Sequence, residues 1–231
     1  MRTKPLTFLL ALTFLFLFCG SVYGDDFQDG FDAYKRNDYK EAFKLFRFSA
    51  VKGNESAQFN LGLMYYEGQG VPQDYKEALK WFRLSAKQGD ADAQYNVGLM
   101  YYEGQGVPQD YKKALKLYRL AGEQRYAGAQ LNLGILYFEG QGVPQDYKEA
   151  VKWYRLAAEQ GLAKAQYNLG LMYADGLGVL QDHVSAYMWW NLAGSKGDKD
   201  AVTNKNTVEK DMTPQQIEKA QEMARNWKPK K

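Results

Sequence analysis

Glu67-Gly68-Gln69-Gly70-Val71-Pro72-Gln73-Asp74-Tyr75-Lys76 recurs letter for letter at 103–112 and at 139–148, each time displaced by 36 residues. Self-similarity at a fixed period of that size marks a stacked helical array. The block reads as punctuation between two helices. Gly68 and Gly70 supply the left-handed conformations that end a helix, and Pro72 blocks continuation. Asp74 is placed to cap the next helix, with Glu77 three residues on as its capping-box partner. A first helix, A, is therefore predicted from about Ala57 to Tyr66. A second, B, runs to about Gln88, where Gly89 stops it. The same punctuation returns at Gly104, Gly106, Pro108 and Asp110, and at Gly140, Gly142, Pro144 and Asp146. No stretch alternates apolar and polar residues as a half-buried strand does. The expected fold class is all-α.

From that block outward, the period marks four units, 57–92, 93–128, 129–164 and 165–200. The fourth keeps Ala165-Gln166-Tyr167-Asn168-Leu169-Gly170 and then drifts. A partial, capping copy fills 25–56, where Asp38-Tyr39-Lys40-Glu41-Ala42 is the counterpart of Asp74-Tyr75-Lys76-Glu77-Ala78. In 201–231, Thr213-Pro214-Gln215-Gln216 combines an N-cap Thr, Pro at the first helical position and Gln at N3. A capping helix is predicted from there to about Trp227, with Ile217, Ala220, Met223 and Ala224 turned to the last repeat. Lys228 to Lys231 are expected to fray.

Helix A carries two apolar stripes. Ala57, Leu61, Met64 and Tyr65 form the first; Phe59, Leu63 and Tyr66 form the second on another side. A helix apolar on two sides is either covered on both or leaves one for a ligand. Gly62, Gly98, Gly134 and Gly170 sit mid-helix, at a cost of about 1 kcal/mol each relative to Ala. Four copies of so costly a residue predict close approach of another helix. One unit cannot bury such faces alone, whereas stacked units can.

Composition removes most chemistry. The chain has 231 residues, 30 Lys and Arg against 27 Asp and Glu, one Cys and one His. Arg2 and Lys4 precede the uncharged run Leu6 to Phe18, then come Gly20, Ser21 and Val22-Tyr23-Gly24. Residues 1–24 have the layout of a cleaved secretory signal peptide, so the mature protein is expected to be exported, periplasmic or secreted. Nothing after residue 24 is apolar enough for stable membrane insertion. Without the leader 28 basic groups face 27 acidic ones, which gives no support to a nucleic-acid partner. Cys19 lies in the leader, so no disulfide, cysteine nucleophile or cysteine zinc site is available beyond it. No catalytic residue, metal or cofactor is expected, and the protein is read as a non-enzyme.

The repeated elements Ala-x-x-x-Leu-Gly-x-x-Tyr, Gly-x-Gly-Val, Asp-Tyr-x-x-Ala and Leu-x-Ala-x-x-Gly together resemble the Sel-one-like repeat (SLR) family, relatives of the tetratricopeptide repeats. The resemblance covers residues 27–200. It implies a right-handed α-solenoid of antiparallel helix pairs, in a family whose members mainly act as adaptors for other proteins. Exported bacterial members are linked to envelope complexes and to contact with host cells.

By resemblance to tetratricopeptide arrays, the concave face consists of Phe59, Tyr95, Leu131 and Tyr167, then Leu63, Leu99, Ile135 and Leu171. Tyr66, Tyr102 and Phe138 continue it, with the acidic Glu67, Glu103, Glu139 and Asp175 at its edge. Aromatics beside carboxylates suit a protein or peptide partner with apolar anchors and basic flanks. The competing reading is that these residues pack neighbouring helices and touch no partner.

Other features read as structural. His183 replaces Tyr75, Tyr111 and Tyr147 and is taken as a drifted packing position; Trp189 and Trp190 fit a terminal unit against the cap helix. Arg83, Arg119 and Arg155 recur in helix B and are read as a ladder of inter-repeat ion pairs, with a merely solvated face as the alternative. Ser49-Ala50-Val51-Lys52 matches the SxxK signature of penicillin-recognising enzymes, but the companion S-D-N and K-T-G elements are absent. Cysteine-rich relatives of these repeats are associated with β-lactams, so an envelope hydrolase is one alternative to an adaptor. A purely structural spacer is the other.

Overall fold

A computed structural model describes residues 26–230; the predicted leader lies outside them. Twelve α-helices and one 3-10 turn are present, with no strand, among the described residues. They are α1 (Asp26–Lys35), α2 (Tyr39–Val51), α3 (Glu55–Glu67), α4 (Tyr75–Gln88), α5 (Ala91–Glu103) and α6 (Tyr111–Glu123). After these come α7 (Ala127–Glu139), α8 (Tyr147–Glu159), α9 (Ala163–Asp175), α10 (His183–Gly194), α11 (Lys199–Val208) and α12 (Pro214–Asn226), the 3-10 turn being Glu209–Asp211. The chain divides into two compact units between Ser85 and Ala86, within α4.

Helix A begins two residues ahead of its apolar stripe. Asn54 and Asp90 cap α3 and α5 by accepting from the N–H groups of Ala57 (2.8 Å) and Ala93 (2.6 Å). Tyr126 and Leu162 hold the same place before α7 and α9 without a side-chain cap. At the other end Gly68, Gly104, Gly140 and Gly176 take left-handed conformations, φ 68 to 75. Helix B is capped by Asp74, Asp110, Asp146 and Asp182, as the connector implies. The reciprocal half of the predicted capping box does not form. The Asp74 N–H already donates to the Tyr65 carbonyl (2.9 Å), and Glu77 pairs with Lys80 (3.1 Å) instead.

In the first unit, Ala33, Ala42, Phe46, Ala50, Ala57, Leu61, Met64 and Trp81 form one core across α1 to α4. The segment read as a partial repeat supplies a complete, shortened helix pair, α1 and α2. Tyr34 of α1 donates to the Gln69 side chain in the connector (2.7 Å). Gln58 is buried, and its amide donates to the Ala50 carbonyl in the last turn of α2 (3.1 Å).

The second unit repeats that joint. Gln130 donates to the Gly122 carbonyl (2.9 Å) and Gln166 to the Ala158 carbonyl (3.1 Å). Gln160 donates in turn to Gln130 Oε1 (2.7 Å). The bonds from Gln130 and Gln166 run from helix A of one pair to the last turn of helix B in the pair before, on carbonyls that also accept from Arg125 and Gly161 N–H; the bond from Gln160 ties the two helices of one pair. The connector makes a second joint. Gly142 (φ 70) lies so close to the Tyr111 backbone that a methyl group there would sit 2.6 Å from its carbonyl carbon.

Mid-helix glycines close each pair on itself. A methyl group at Gly134 would fall 2.4 Å from the Tyr154 ring, at Gly98 2.8 Å from Tyr118, and at Gly170 2.5 Å from Trp190. Helix A lies against the aromatic rings of its own helix B, which is the close approach the four glycines predict.

The C-terminal segment holds one helix more than predicted. α11 is capped by Asp198 (2.9 Å to Ala201 N), and its buried Ala201 keeps the register of Ala57, Ala93, Ala129 and Ala165. α12 starts with the predicted capping box of Thr213 and Gln216. It packs on α10 through Trp227 against Trp189 (6.4 Å between rings) and Gln221 on the Tyr187 hydroxyl. Two expectations are corrected. Met223 is turned toward solvent, while Ala220 and Ala224 are buried and Ile217 packs on the core of α10 and α11. Lys230 does not fray: its N–H donates to the Glu159 carbonyl (2.8 Å) and its ammonium meets the Glu159 carboxylate (2.9 Å).

Gly134→Ala improves intrinsic helix propensity by about 1 kcal/mol, yet overpacking against Tyr154 costs typically about 1–3 kcal/mol. The variant should therefore unfold at lower urea concentration than the parent, and an unchanged or raised midpoint would contradict the packing described.

Candidate functional site

The two stripes of helix A differ in what covers them. The first belongs to the interior: Ala57, Leu61 and Met64 of α3 are wholly buried, as are Ala129, Leu133 and Leu136 of α7. The second is half-buried in every repeat. It comprises Phe59, Leu63 and Tyr66 in α3 and Tyr95, Leu99 and Tyr102 in α5. Leu131, Ile135 and Phe138 of α7 and Tyr167 and Leu171 of α9 hold the same positions. Glu67, Glu103, Glu139 and Asp175 are exposed at the helix ends.

An aromatic side chain of helix B braces this stripe. Ring centroids lie 5.2 Å apart for Tyr66 and Tyr75, 5.3 Å for Tyr102 and Tyr111, and 5.5 Å for Phe138 and Tyr147. Tyr95 rests between Tyr118 (5.7 Å) and Tyr126 (4.8 Å). Tyr66, Tyr102 and Phe138 are each held by their own hairpin and stay partly exposed, so packing and exposure coexist. Rings fixed in this way lose little rotamer entropy on meeting a ligand.

The electrostatics gather carboxylates round the same rings. Burial pushes the Tyr102 phenol above its usual range, and Glu139, Tyr111 and Glu103 push it further. Burial also raises Tyr95, against a hydrogen bond with Asn132 and with a further contribution from Glu103. A ring flanked by two carboxylates can take an apolar group and a cation together.

In the fourth repeat the arrangement changes. Tyr167 and Leu171 pack against a cluster of α10, α11 and α12 that includes Tyr187, Trp190, Val208 and Ala220. Trp190 donates to the Tyr167 carbonyl (3.1 Å). His183 is half-buried at the start of α10 beside a recess, a setting the sequence reading as a packing position did not include.

The Sel1 repeat family model matches residues 23–54, 55–90, 91–126, 127–162 and 163–198. The chain belongs to the Sel1 repeat family. Among solved structures, one similar chain is c5321, a protective antigen present in uropathogenic Escherichia coli strains and displaying an SLR fold. It is 34% identical with a TM-score of 0.79, over 87% of this chain and 44% of that one. The present chain thus spans less than half of that antigen's length. A Sel1 repeat protein from Oxalobacter formigenes is 33% identical with a TM-score of 0.77, over 87% of this chain and 85% of that one. No curated protein matches the chain at a significant level. The fold is the all-α, Sel1-type solenoid of helix pairs, and Sel1 repeat proteins are generally scaffolds for protein interaction and mostly non-enzymatic.

The repeat frame explains two residues whose roles sequence reasoning did not assign or mis-assigned. The Ala-Gln pair at 57–58, 93–94, 129–130 and 165–166 is invariant in the four copies, and its glutamine is the buried link between pairs. Arg119 and Arg155 do reach the next repeat, but through tyrosines: Arg119 donates to the Tyr137 hydroxyl and Arg155 to the Tyr173 hydroxyl (2.8 Å). No carboxylate stands at that place on helix A. Ser49 is buried, while Lys52 lies over the Phe48 ring (3.7 Å) and pairs with Asp26 (2.8 Å). Both members of the SxxK match are thus engaged elsewhere. Among the described residues, no group of three or more His, Cys, Asp or Glu is arranged to hold a metal ion. No helix there is long and apolar enough to cross a membrane.

Asp182, which caps α10, gives this end of the protein an acid sensitivity. Burial pushes its carboxyl up. Hydrogen bonds from the Ser185 hydroxyl (2.6 Å) and from the N–H groups of Ser185 and Val184 outweigh burial and hold it below the usual range, with Lys219 adding to them. A folded value below the unfolded one of about 3.9 contributes stability that is complete above that value and lost as pH falls beneath it. Asp182→Asn keeps a capping oxygen without the titration. Its melting temperature should fall less than the parent's between about pH 5 and pH 2; an equal fall would contradict this role.

Proposed function

We propose that the protein is an exported, non-enzymatic adaptor that binds a protein or peptide through the concave, helix A face of its repeats. One observation carries the reading. In successive repeats a half-buried ring, Tyr66, Tyr102 or Phe138, is braced by its own hairpin and followed at once by an exposed carboxylate, Glu67, Glu103 or Glu139. The alanine, leucine and methionine of the first stripe are sealed inside, and the second stripe remains partly open where an interior residue would be sealed. Pre-positioned rings in a desolvated setting are the usual anchors of a protein interface, and the carboxylates favour a ligand with basic flanks. Membership of a family of interaction scaffolds supports the same reading. Export, to the periplasm or beyond the cell, is supported by the basic start, uncharged run and small-residue close of residues 1–24.

The test is photo-crosslinking in the native envelope with a reactive residue at position 99, followed by affinity measurement with the purified partner. Tyr66→Ala and Tyr102→Ala should each weaken that affinity about tenfold with far-ultraviolet circular dichroism unchanged. Undiminished affinity in the double variant, or crosslinks that form only from the helix B surface, would overturn the proposal.

A further inference from the structure

The aromatic brace that runs through the helix A face fails in one repeat. Where the others place Tyr66 with Tyr75, Tyr102 with Tyr111 and Phe138 with Tyr147, the fourth has Ala174 and His183. Loss of two rings leaves a recess of about 270 Å³ between α9, α10, α11 and the 3-10 turn. Leu171, Ala174, Trp190 and Val208 form its apolar walls. Asp175, from the end of α9, and Asp211, from the 3-10 turn, bring carboxylates from two separate elements.

We propose that this recess binds one long basic side chain, arginine ahead of lysine, of a peptide seated on the helix A face; the inference rests on the function proposed above. The size suits a single side chain, since pockets for whole small molecules span roughly 300–1,000 Å³. The walls suit the methylene stem of a basic residue, which buries its stem while the charged head stays at a polar edge. Two carboxylates line the recess together with His183, and no lysine or arginine does. Two lysines of the surrounding elements already have partners. Lys219 acts on Asp182, and the Lys205 ammonium lies over the Tyr187 ring (5.6 Å).

Two of the donors on the recess wall already have partners. The Trp190 N–H goes to the Tyr167 carbonyl (3.1 Å) and the Thr207 hydroxyl to the Thr203 carbonyl (3.0 Å). What remains is two carboxylates and the Thr207 oxygen, with the Asn204 amide and the His183 ring beside them. Arginine is preferred to lysine because a planar guanidinium meets carboxylates in pairs, sheds water more readily and stacks on aromatic rings such as Trp190.

The experiment is a nuclear magnetic resonance titration of the intact protein with Nα-acetylarginine amide, the corresponding lysine compound, and Nα-acetylcitrulline amide as the uncharged isostere. Arginine should shift the Trp190 indole N–H and the His183 ring saturably, lysine more weakly and citrulline not at all. Asp211→Asn should weaken arginine binding about tenfold. Ala174→Tyr with His183→Tyr, which restores the brace of the other repeats, should abolish it. Absence of a saturable arginine shift overturns the proposal, as does citrulline binding as well as arginine, and both hold even if the refilled variant does not fold. A partner that depends on Tyr66 and Tyr102 while arginine leaves Trp190 unmoved would reject this anchor and leave the adaptor reading standing.

Discussion

A buried glutamine amide donating to the last-turn carbonyl of the preceding helix pair is the interaction on which the architecture turns. It links Gln58 to Ala50, Gln130 to Gly122 and Gln166 to Ala158 at 2.9 to 3.1 Å. Every helix ends with carbonyls that have no partner within it, and a buried one left unpaired costs about 1–3 kcal/mol. Here the Ala50, Gly122 and Ala158 carbonyls accept from the N–H groups of Gly53, Arg125 and Gly161 in their own turn, and the glutamine of the next repeat adds a second bond to each. The glutamine needs the same neighbour, because its amide sits in a dry interface where water cannot serve it. Hydrogen-bond satisfaction and apolar burial therefore make the same demand, and neither is met by a pair alone.

That demand decides which surface remains for function. Helix A gives its alanines, Leu61 or Leu133, and Met64 or Leu136 to the interior. Its glycine lies against the ring of helix B, so the pair is drawn close and the second stripe is lifted to the edge of the packed layer. The connector keeps the carboxylate of Glu67, Glu103 or Glu139 next to that stripe, because the αL glycine that ends the helix follows it immediately. The binding face is thus a by-product of the rules that end one helix and start the next.

Much of this was legible in the chain because the information is local and repeated. Gly68, Pro72 and Asp74 act within a few residues, so a single copy reveals their work and three copies remove the ambiguity. The buried glutamine was harder to read: a polar residue on helix A looks like a solvated one until the preceding pair is in place. Arg119 and Arg155 show the same limit, since their span to the next repeat follows from the period whereas the identity of the acceptor, a tyrosine hydroxyl, depends on three-dimensional register. α11 was hidden because its sequence, Lys199–Val208, has almost no apolar stripe; only Asp198 and Ala201, in register with earlier caps and alanines, announced it. The recess beside His183 arises from what is missing at Ala174, and an absence acquires shape only when α11 closes over it.

The most direct measurement is circular dichroism of residues 127–162 as an isolated peptide, heated from about 5 °C. Two helices of 13 residues each are marginal in water by themselves, and this segment would lack both the carbonyl that Gln130 serves and the amide of Gln166 that serves Ala158. The account predicts little helix and a melt without a cooperative step. A helical peptide with a sharp, reversible transition would show that a pair is stable unaided and would contradict it.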